Sequence, residues 1–257
     1  MIESDLTSRE LLQHARVGHA HLLWPAGRMR PPANWCDPRA LQSAAGTRPG
    51  GTGRGATLRF DADGRALVLR RYRRGGMARR LGDRYLRLGL RRSRAWRELA
   101  LLVVMQDRGL PVPTPVAAWI EPVAAWSPFC RAVLLTEYLE NTHTLTEMLR
   151  SRPLATDQWY RIGSMIADFH AVGVDHADLN AHNILVGDDD SLYLIDFDRG
   201  RLRRRPGRWR ERNLSRLRRS LDKLAGQESG FAFAAGDWEA LERGYRGRAS
   251  SGSNSAT

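Results

Sequence analysis

Between residues 156 and 197 the sequence passes through three patterns in quick succession, and few folds accommodate all three. Trp159, Ile162, Ile166 and Phe169 recur at helical spacing from Thr156, the expected N-cap, to Gly173, where the stripe closes. The octamer HADLNAHN, residues 176–183, follows at once. Two strand-like runs come next, NILVG and SLYLIDF, split by Asp188, Asp189 and Asp190, all turn-forming residues. A helix and a short hairpin thus hold a crowded polar loop from both sides. A plain turn would also favour Asp and Asn, but it does not explain the joint spacing. His176, Asp178 and Asn183 fit H-x-D-x-x-x-x-N, and LIDFD sets Asp196 behind the hairpin.

That arrangement suits phosphoryl transfer. The reaction needs a carboxylate to orient an attacking hydroxyl and accept its proton, and oxygen ligands to hold magnesium against nucleotide phosphates. Asp178 is the candidate base, and Asn183 and Asp196 are the candidate metal ligands. One carboxylate and one amide suffice, because Mg2+ keeps several waters and takes further oxygens from the phosphates. His176 reads as scaffolding, and His182 as a residue that packs or hydrogen-bonds locally.

The rest of the chain supplies a context for that loop. Residues up to about 45 are dense in Pro, Gly and Asn, as in WPAGRMRPPANWCDP, and are expected to be mostly loop. The runs ATLRF and ALVLRRY, split by DADG, read as a β-hairpin preceded by the glycine cluster of Gly51, Gly53 and Gly55. A basic segment over 70–94 leads to a helix in which Trp96, Leu99, Leu102 and Val103 form a stripe that closes near Gly109. VAAWI and RAVLLTEYL look like further strands. Beyond the loop, Leu214, Leu217, Leu221 and Leu224 mark a basic helix with an apolar face, and the tail ASSGSNSAT reads as disordered. The pattern is that of an α+β protein, with strands mostly early and helices mostly late.

Charge and hydropathy narrow the function classes. The 257 residues carry 41 basic and 28 acidic side chains, a formal charge of +13, and every basic residue except Lys223 is arginine. Codon bias accounts for the preference for arginine, but the excess still attracts polyanions or an anionic leaflet. LALLVVM is far short of the roughly 20 apolar residues that a spanning helix needs. The acidic opening MIESDLTSRE does not resemble a signal peptide, so a cytoplasmic location is expected. Cys36 and Cys130 lie far apart without ligand-like neighbours and read as reduced thiols rather than a zinc site.

A glycine-rich hairpin, a helix with an acid, the H-x-D-x-x-x-x-N loop and a later D-F-x resemble, in that order, the protein-kinase-like superfamily. The resemblance implies a two-lobed fold with a small β-rich lobe over 46–139 and a larger helical lobe over 140–247. An irregular segment, 1–45, precedes them, and a disordered tail, 248–257, follows. Gly51, Gly53 and Gly55 would cover the phosphates of ATP. Arg70 stands where the family has the phosphate-pairing lysine, with Glu98 as its partner. A register slip by one would substitute Arg71, and Glu98 could instead pair on its own helix with Arg94. The chain departs from protein kinases at Arg70, at Asn180 two residues after Asp178, at Asp198 in place of the D-F-G glycine, and in lacking A-P-E. These departures favour a small-molecule or lipid phosphotransferase.

LRRYRRGG, SRAWREL, GLPVPTPVAA, GVDHADLNAHNIL, LIDFDRGRLR and NLSRLRRSLDK together resemble the 3-deoxy-D-manno-octulosonic acid (Kdo) kinases of Gram-negative bacteria, from roughly Trp24 to Lys223. The resemblance implies ATP and Mg2+ as cofactors and the 4-hydroxyl of a lipid-linked Kdo sugar as acceptor. It also implies peripheral attachment to the anionic cytoplasmic face of the inner membrane. Asp178 would be the catalytic aspartate, with Asn183 and Asp196 on the metal. Alternatives are a heptose kinase of the lipopolysaccharide core, an aminoglycoside-type phosphotransferase, or a non-catalytic basic module on membrane or nucleic acid. No nucleic-acid partner is expected, because interleaved basic and aromatic stacking motifs are not evident.

Overall fold

The computed structural model describes residues 11–37, 40–41, 48–49, 57–72, 85–86, 89–124 and 126–253. They form two compact units, one of residues up to Asp107 together with Pro113–Tyr138, the other of Arg108–Val112 and the chain from Leu139 onward. Antiparallel sheets and, among the described residues, five α-helices make the fold mixed.

The first unit is a sheet of β1 (Leu12–Val17), β2 (Ala20–Pro25), β3 (Arg48–Pro49), β4 (Thr57–Ala62), β5 (Arg65–Arg71), β6 (Tyr85–Leu86), β7 (Pro115–Pro122) and β8 (Phe129–Glu137). Its order is β1-β2-β7-β8-β5-β4-β3, with β6 also paired to β8. The DADG turn closes the β4–β5 hairpin as expected. Ala62 pairs with Arg65, and Asp63 and Gly64 take φ of 49° and 72°, a two-residue turn whose twist matches the strands. Helix α1 (Arg94–Asp107) begins where the Ser93 hydroxyl accepts from the Trp96 N–H, and its expected stripe is buried against the sheet.

The N-terminal stretch corrects the expectation of loop. β1 and β2 form a hairpin turned at Gly18, and β2 pairs with β7. Trp35 and Cys36, in a single 3-10 turn over Ala33–Cys36, pack with Leu22, Trp24, Leu67, Leu69 and Leu135 in one core. The run LLWP has no period-2 alternation, since Leu22 to Pro25 are all buried. A strand covered on both faces cannot be distinguished by periodicity, and the Pro-rich stretch behind it conceals it further.

The second unit begins with β9 (Thr142–Thr144) and α2 (Leu145–Ser151), whose start is a capping box between Thr144 and Glu147. Helix α3 (Thr156–Ala171) follows. Its N-cap is Ala155, one residue earlier than expected, with the Gln158 side chain accepting from the Ala155 N–H at 3.0 Å. β10 (Val174–Asp175) pairs with β13 (Arg201–Leu202), and β11 (Ile184–Gly187) lies between β12 (Leu192–Leu194) and β9. The run SLYLIDF yields only that short β12, because Asp196 takes a left-handed backbone at φ 65° that no strand continues through.

Helix α4 (Trp209–Gln227) is the expected basic helix, with Leu217 and Leu221 fully buried and Leu214 and Leu224 partly so. Helix α5 (Ala235–Ser253) was not foreseen and takes in part of the stretch expected to be disordered. Its sequence is rich in Gly and Ser, poor helix formers, so propensity gives no signal. Backbone contact explains it. A Cβ on Gly163 of α3 would lie 1.9 Å from the Leu241 carbonyl oxygen, and one on Gly244 would lie 2.0 Å from that of Tyr160. Glycine at both places lets the two helices touch along their backbones.

Candidate active site

The residues singled out in the sequence fall into two groups, one in each unit, and Gly51, Gly53 and Gly55 lie outside the described residues. In the first unit Arg70 of β5 meets Glu98 of α1, its Nη2 donating to Oε1. The partner is thus Arg70 rather than Arg71. Tyr72 donates its hydroxyl to the other oxygen, Oε2, at 2.6 Å. Glu98 is only 2% exposed, so this pair of donors is what offsets the loss of water around its charge. Burial and then the charge of Glu98 hold the Tyr72 phenol well above its ordinary range, so it stays a donor. Tyr72 was missed, although strand periodicity places it on the face of Arg70.

In the second unit the loop is built from its backbone outward. His176 is buried, and its Nε2 lies 2.9 Å from the Ile195 carbonyl oxygen, which fixes that nitrogen as the donor. Its ring packs on Phe197, which stacks on Phe169 of α3. Burial, the largest cause, lowers its pKa and keeps it neutral. This is the scaffolding role expected of it. Asn180 caps a turn over Ala181–Asn183 by accepting from the His182 N–H at 2.9 Å.

Two side-chain amides then converge on one atom. Asn180 Nδ2 and Asn183 Nδ2 donate to the Asp178 carbonyl oxygen at 2.9 and 3.0 Å. The backbone of Asp178 is fixed while its carboxylate stays 54% exposed. The β11–β12 ladder continues through the Ile195 N–H to the Asn183 carbonyl at 3.0 Å, and so brings Asp196 beside Asn183. The charges of Asp196 and Asp178 both favour protonation of His176, against the larger effect of its burial.

The donor chemistry fits a hard divalent cation. Asn183 donates through Nδ2, which leaves its Oδ1 as a candidate oxygen donor, and Asp196 is an exposed carboxylate residue on a strained backbone. Among the described residues no group of three His, Cys, Asp or Glu side chains could hold a metal alone. An amide plus a carboxylate, completed by phosphate oxygens, is a different kind of site.

Sequence reading also missed what lies beneath the loop. Asp175 is buried and accepts at Oδ2 from Arg203 Nε and Nη2 at 2.9 and 2.7 Å, and at Oδ1 from Asn213 Nδ2 at 2.9 Å. It ties the start of the loop to β13 and to α4. Nothing in the local spacing signals it, since both partners are far along the chain.

Comparison with known proteins points to a kinase family. The model of the family described as "Lipopolysaccharide kinase (Kdo/WaaP) family" matches residues 45–245. A 3-deoxy-D-manno-octulosonic acid kinase of Xylella fastidiosa (strain M12) is 46% identical over 194 residues, 75% of this chain and 76% of the relative. The protein of the same name from Xanthomonas axonopodis pv. citri (strain 306) is 42% identical over 238 residues, 89% and 91% of the two chains. That from Xanthomonas oryzae pv. oryzae (strain PXO99A) is 46% identical over 195 residues, 75% and 76%.

Proposed function

Since the chain belongs to the lipopolysaccharide kinase (Kdo/WaaP) family, we propose that it is an ATP-dependent kinase that phosphorylates the 4-hydroxyl of a Kdo sugar on a lipid A precursor. The observation that carries this reading is the Asp178 loop, which fixes a carboxylate by its backbone and leaves its oxygens open. The names of its relatives point to Kdo as the acceptor.

In this reading the fold is the two-lobed arrangement of protein kinases. Asp178 accepts the proton of the acceptor hydroxyl as that oxygen bonds to the γ-phosphorus and the bond to the β,γ-bridging oxygen breaks. Asn183 and Asp196 would hold Mg2+, which when bound would neutralise charge on the phosphates. Arg70, held by Glu98, would pair with the nucleotide phosphates, and the glycine cluster of Gly51, Gly53 and Gly55 would cover them. The enzyme works on the anionic cytoplasmic face of the inner membrane as a peripheral protein. The charge of +13 supports attachment to that face. No helix among the described residues is long and apolar enough to cross a membrane.

The test is incubation with ATP, Mg2+ and a Kdo-bearing lipid A precursor, with the Asp178→Asn variant alongside. Mass spectrometry is expected to find one added phosphate with wild type and none with the variant. Phosphate added only to a heptose-bearing core acceptor would replace Kdo as the substrate.

A further inference from the structure

Two residues after Asp178 stands Asn180, and both ends of its amide are engaged within the loop, on the Asp178 carbonyl and on the His182 N–H. The loop itself therefore brings no cation to the base at that position. A cation comes from α4. Arg216 Nη1 lies 3.6 Å from Asp178 Oδ1, and the two side chains are 49% and 54% exposed. A charge-assisted hydrogen bond would be about 2.7–2.9 Å, so this is a loose pair whose guanidinium keeps donors to spare.

The face of α4 turned to the loop is fixed independently. Ser220, one turn beyond Arg216, accepts at Oγ from the Ala181 N–H at 3.4 Å. One turn before Arg216 on the same row is Arg212, exposed and without an ion-pair partner among the described residues. Arg218, off that row, is occupied by Asp222 at 2.8 Å. The helix thus aims a short row of arginines at the place where the acceptor hydroxyl must sit, and leaves them for an anion.

Resting on the Kdo reading above, we infer that Arg216 binds the carboxylate of the acceptor sugar and makes the site selective for an acidic sugar, with Arg212 extending the same cationic row. Reach decides which anion. Asp178 holds a ring hydroxyl at roughly 2.6–3.2 Å. An anion that also meets Arg216 must lie within a few ångströms of that hydroxyl, on the same ring. Kdo carries its carboxylate two ring carbons from the 4-hydroxyl, whereas the phosphates of the lipid are on other sugars. The planar fork of arginine matches a carboxylate bidentately, which lysine cannot do.

The experiment measures kcat and KM for the Kdo-bearing acceptor and for its carboxyl methyl ester, with wild type, Arg216→Ala and Arg216→Lys. Wild type is expected to favour the acid over the ester by about 10- to 100-fold in acceptor KM, the worth of one charge-assisted bond. In Arg216→Ala that ratio falls to about 1, chiefly through KM of the acid, and Arg216→Lys restores part of it. Arg216 is exposed, so both variants are expected to fold, which their unfolding midpoints check. If Arg216→Ala keeps the wild-type ratio, or lowers kcat and raises KM for ATP with acid and ester alike, Arg216 serves the base or the phosphoryl group and the inference is overturned. A wild type that phosphorylates neither acceptor removes the Kdo reading itself, and this inference with it.

Discussion

Glu98 in the first unit and Asp178 in the second are both carboxylates with arginine beside them, and they are held in opposite ways. Glu98 is buried with both oxygens occupied, one by Arg70 and one by Tyr72. Asp178 has its main-chain carbonyl occupied instead, by Asn180 and Asn183, and its carboxylate looks out to solvent with Arg216 at a distance. The contrast separates two tasks. A carboxylate that must hold another charge still is buried and saturated, because an unpaired charge in the interior costs several kcal/mol. A carboxylate that is to take a proton, as proposed for Asp178, needs its oxygens open, and here its position is set through the backbone. Asp175 is the first kind, three residues before Asp178 at the end of β10.

The sharpest way to break this comparison is Asp178→Asn. The variant is expected to lose about 10²- to 10⁴-fold in kcat, the usual worth of a general base. Its unfolding midpoint should stay within about 2 °C of wild type, since the replaced oxygen is exposed and the pinned carbonyl is untouched. A variant that loses activity by unfolding would make Asp178 a structural residue like Asp175.

Glu98→Gln should show the reverse profile. Removing one charge of a buried pair leaves the other uncompensated, a loss of about 3–5 kcal/mol when fully interior. Arg70 is 24% exposed at its side chain, which places the expected loss at or below the lower end, roughly 2–3 kcal/mol in urea unfolding. Affinity for ATP falls with it, since Arg70 loses its support. Equal stability of Glu98→Gln and Asp178→Asn would erase the distinction between the two regions.

How far each region was legible follows from where its partners lie. The layout of the Asp178 loop could be read because its residues fall in one octamer and one hairpin, so that spacing alone carries the local geometry. Arg70 and Glu98 could be matched only as candidates, since the strand register that chooses Arg70 over Arg71 is set by pairing with β8. Asp175, Arg203 and Asn213 were invisible, because their contact joins three elements brought together only by folding. The same holds for the buried N-terminal hairpin and for α5, whose sequence argues against a helix until Gly163 and Gly244 are seen face to face.

The comparison also extends to the two buried histidines of the second unit, His170 and His176, which are uncharged where Asp178 is solvated. His170 is buried with Nδ1 2.8 Å from the Tyr245 hydroxyl, and its pKa is pushed down to about 3, by burial first and Arg210 second. Unfolded, it would titrate near 6.5 and bind more protons than the folded chain below that pH. Its contribution to stability is therefore complete above about pH 6.5 and is lost as pH falls toward 3. From pH 7.5 to 5.5 the expected loss from this residue is on the order of 1 kcal/mol, with His176 acting in the same direction. Thermal midpoints at the two pH values should differ less in His170→Gln than in wild type; an equal drop would move the titrating group elsewhere.

The smallest effect is expected where an arginine and a glutamate meet at the surface, as a control for Arg70 and Glu98. Arg150 at the end of α2 donates through Nε and Nη2 to both oxygens of Glu228 at 2.7 and 2.6 Å, just past the end of α4. The geometry is better than that of Arg70, yet the side chains are 48% and 31% exposed. Water and salt screen the pair, and two long side chains lose rotamer freedom in making it. Arg150→Ala should thus leave the thermal midpoint within about 2 °C of wild type, with the difference vanishing in 1 M salt. A loss as large as that of Glu98→Gln would mean that bond geometry outweighs burial in this protein. Burial could then no longer explain why Glu98 and Asp178 are held so differently.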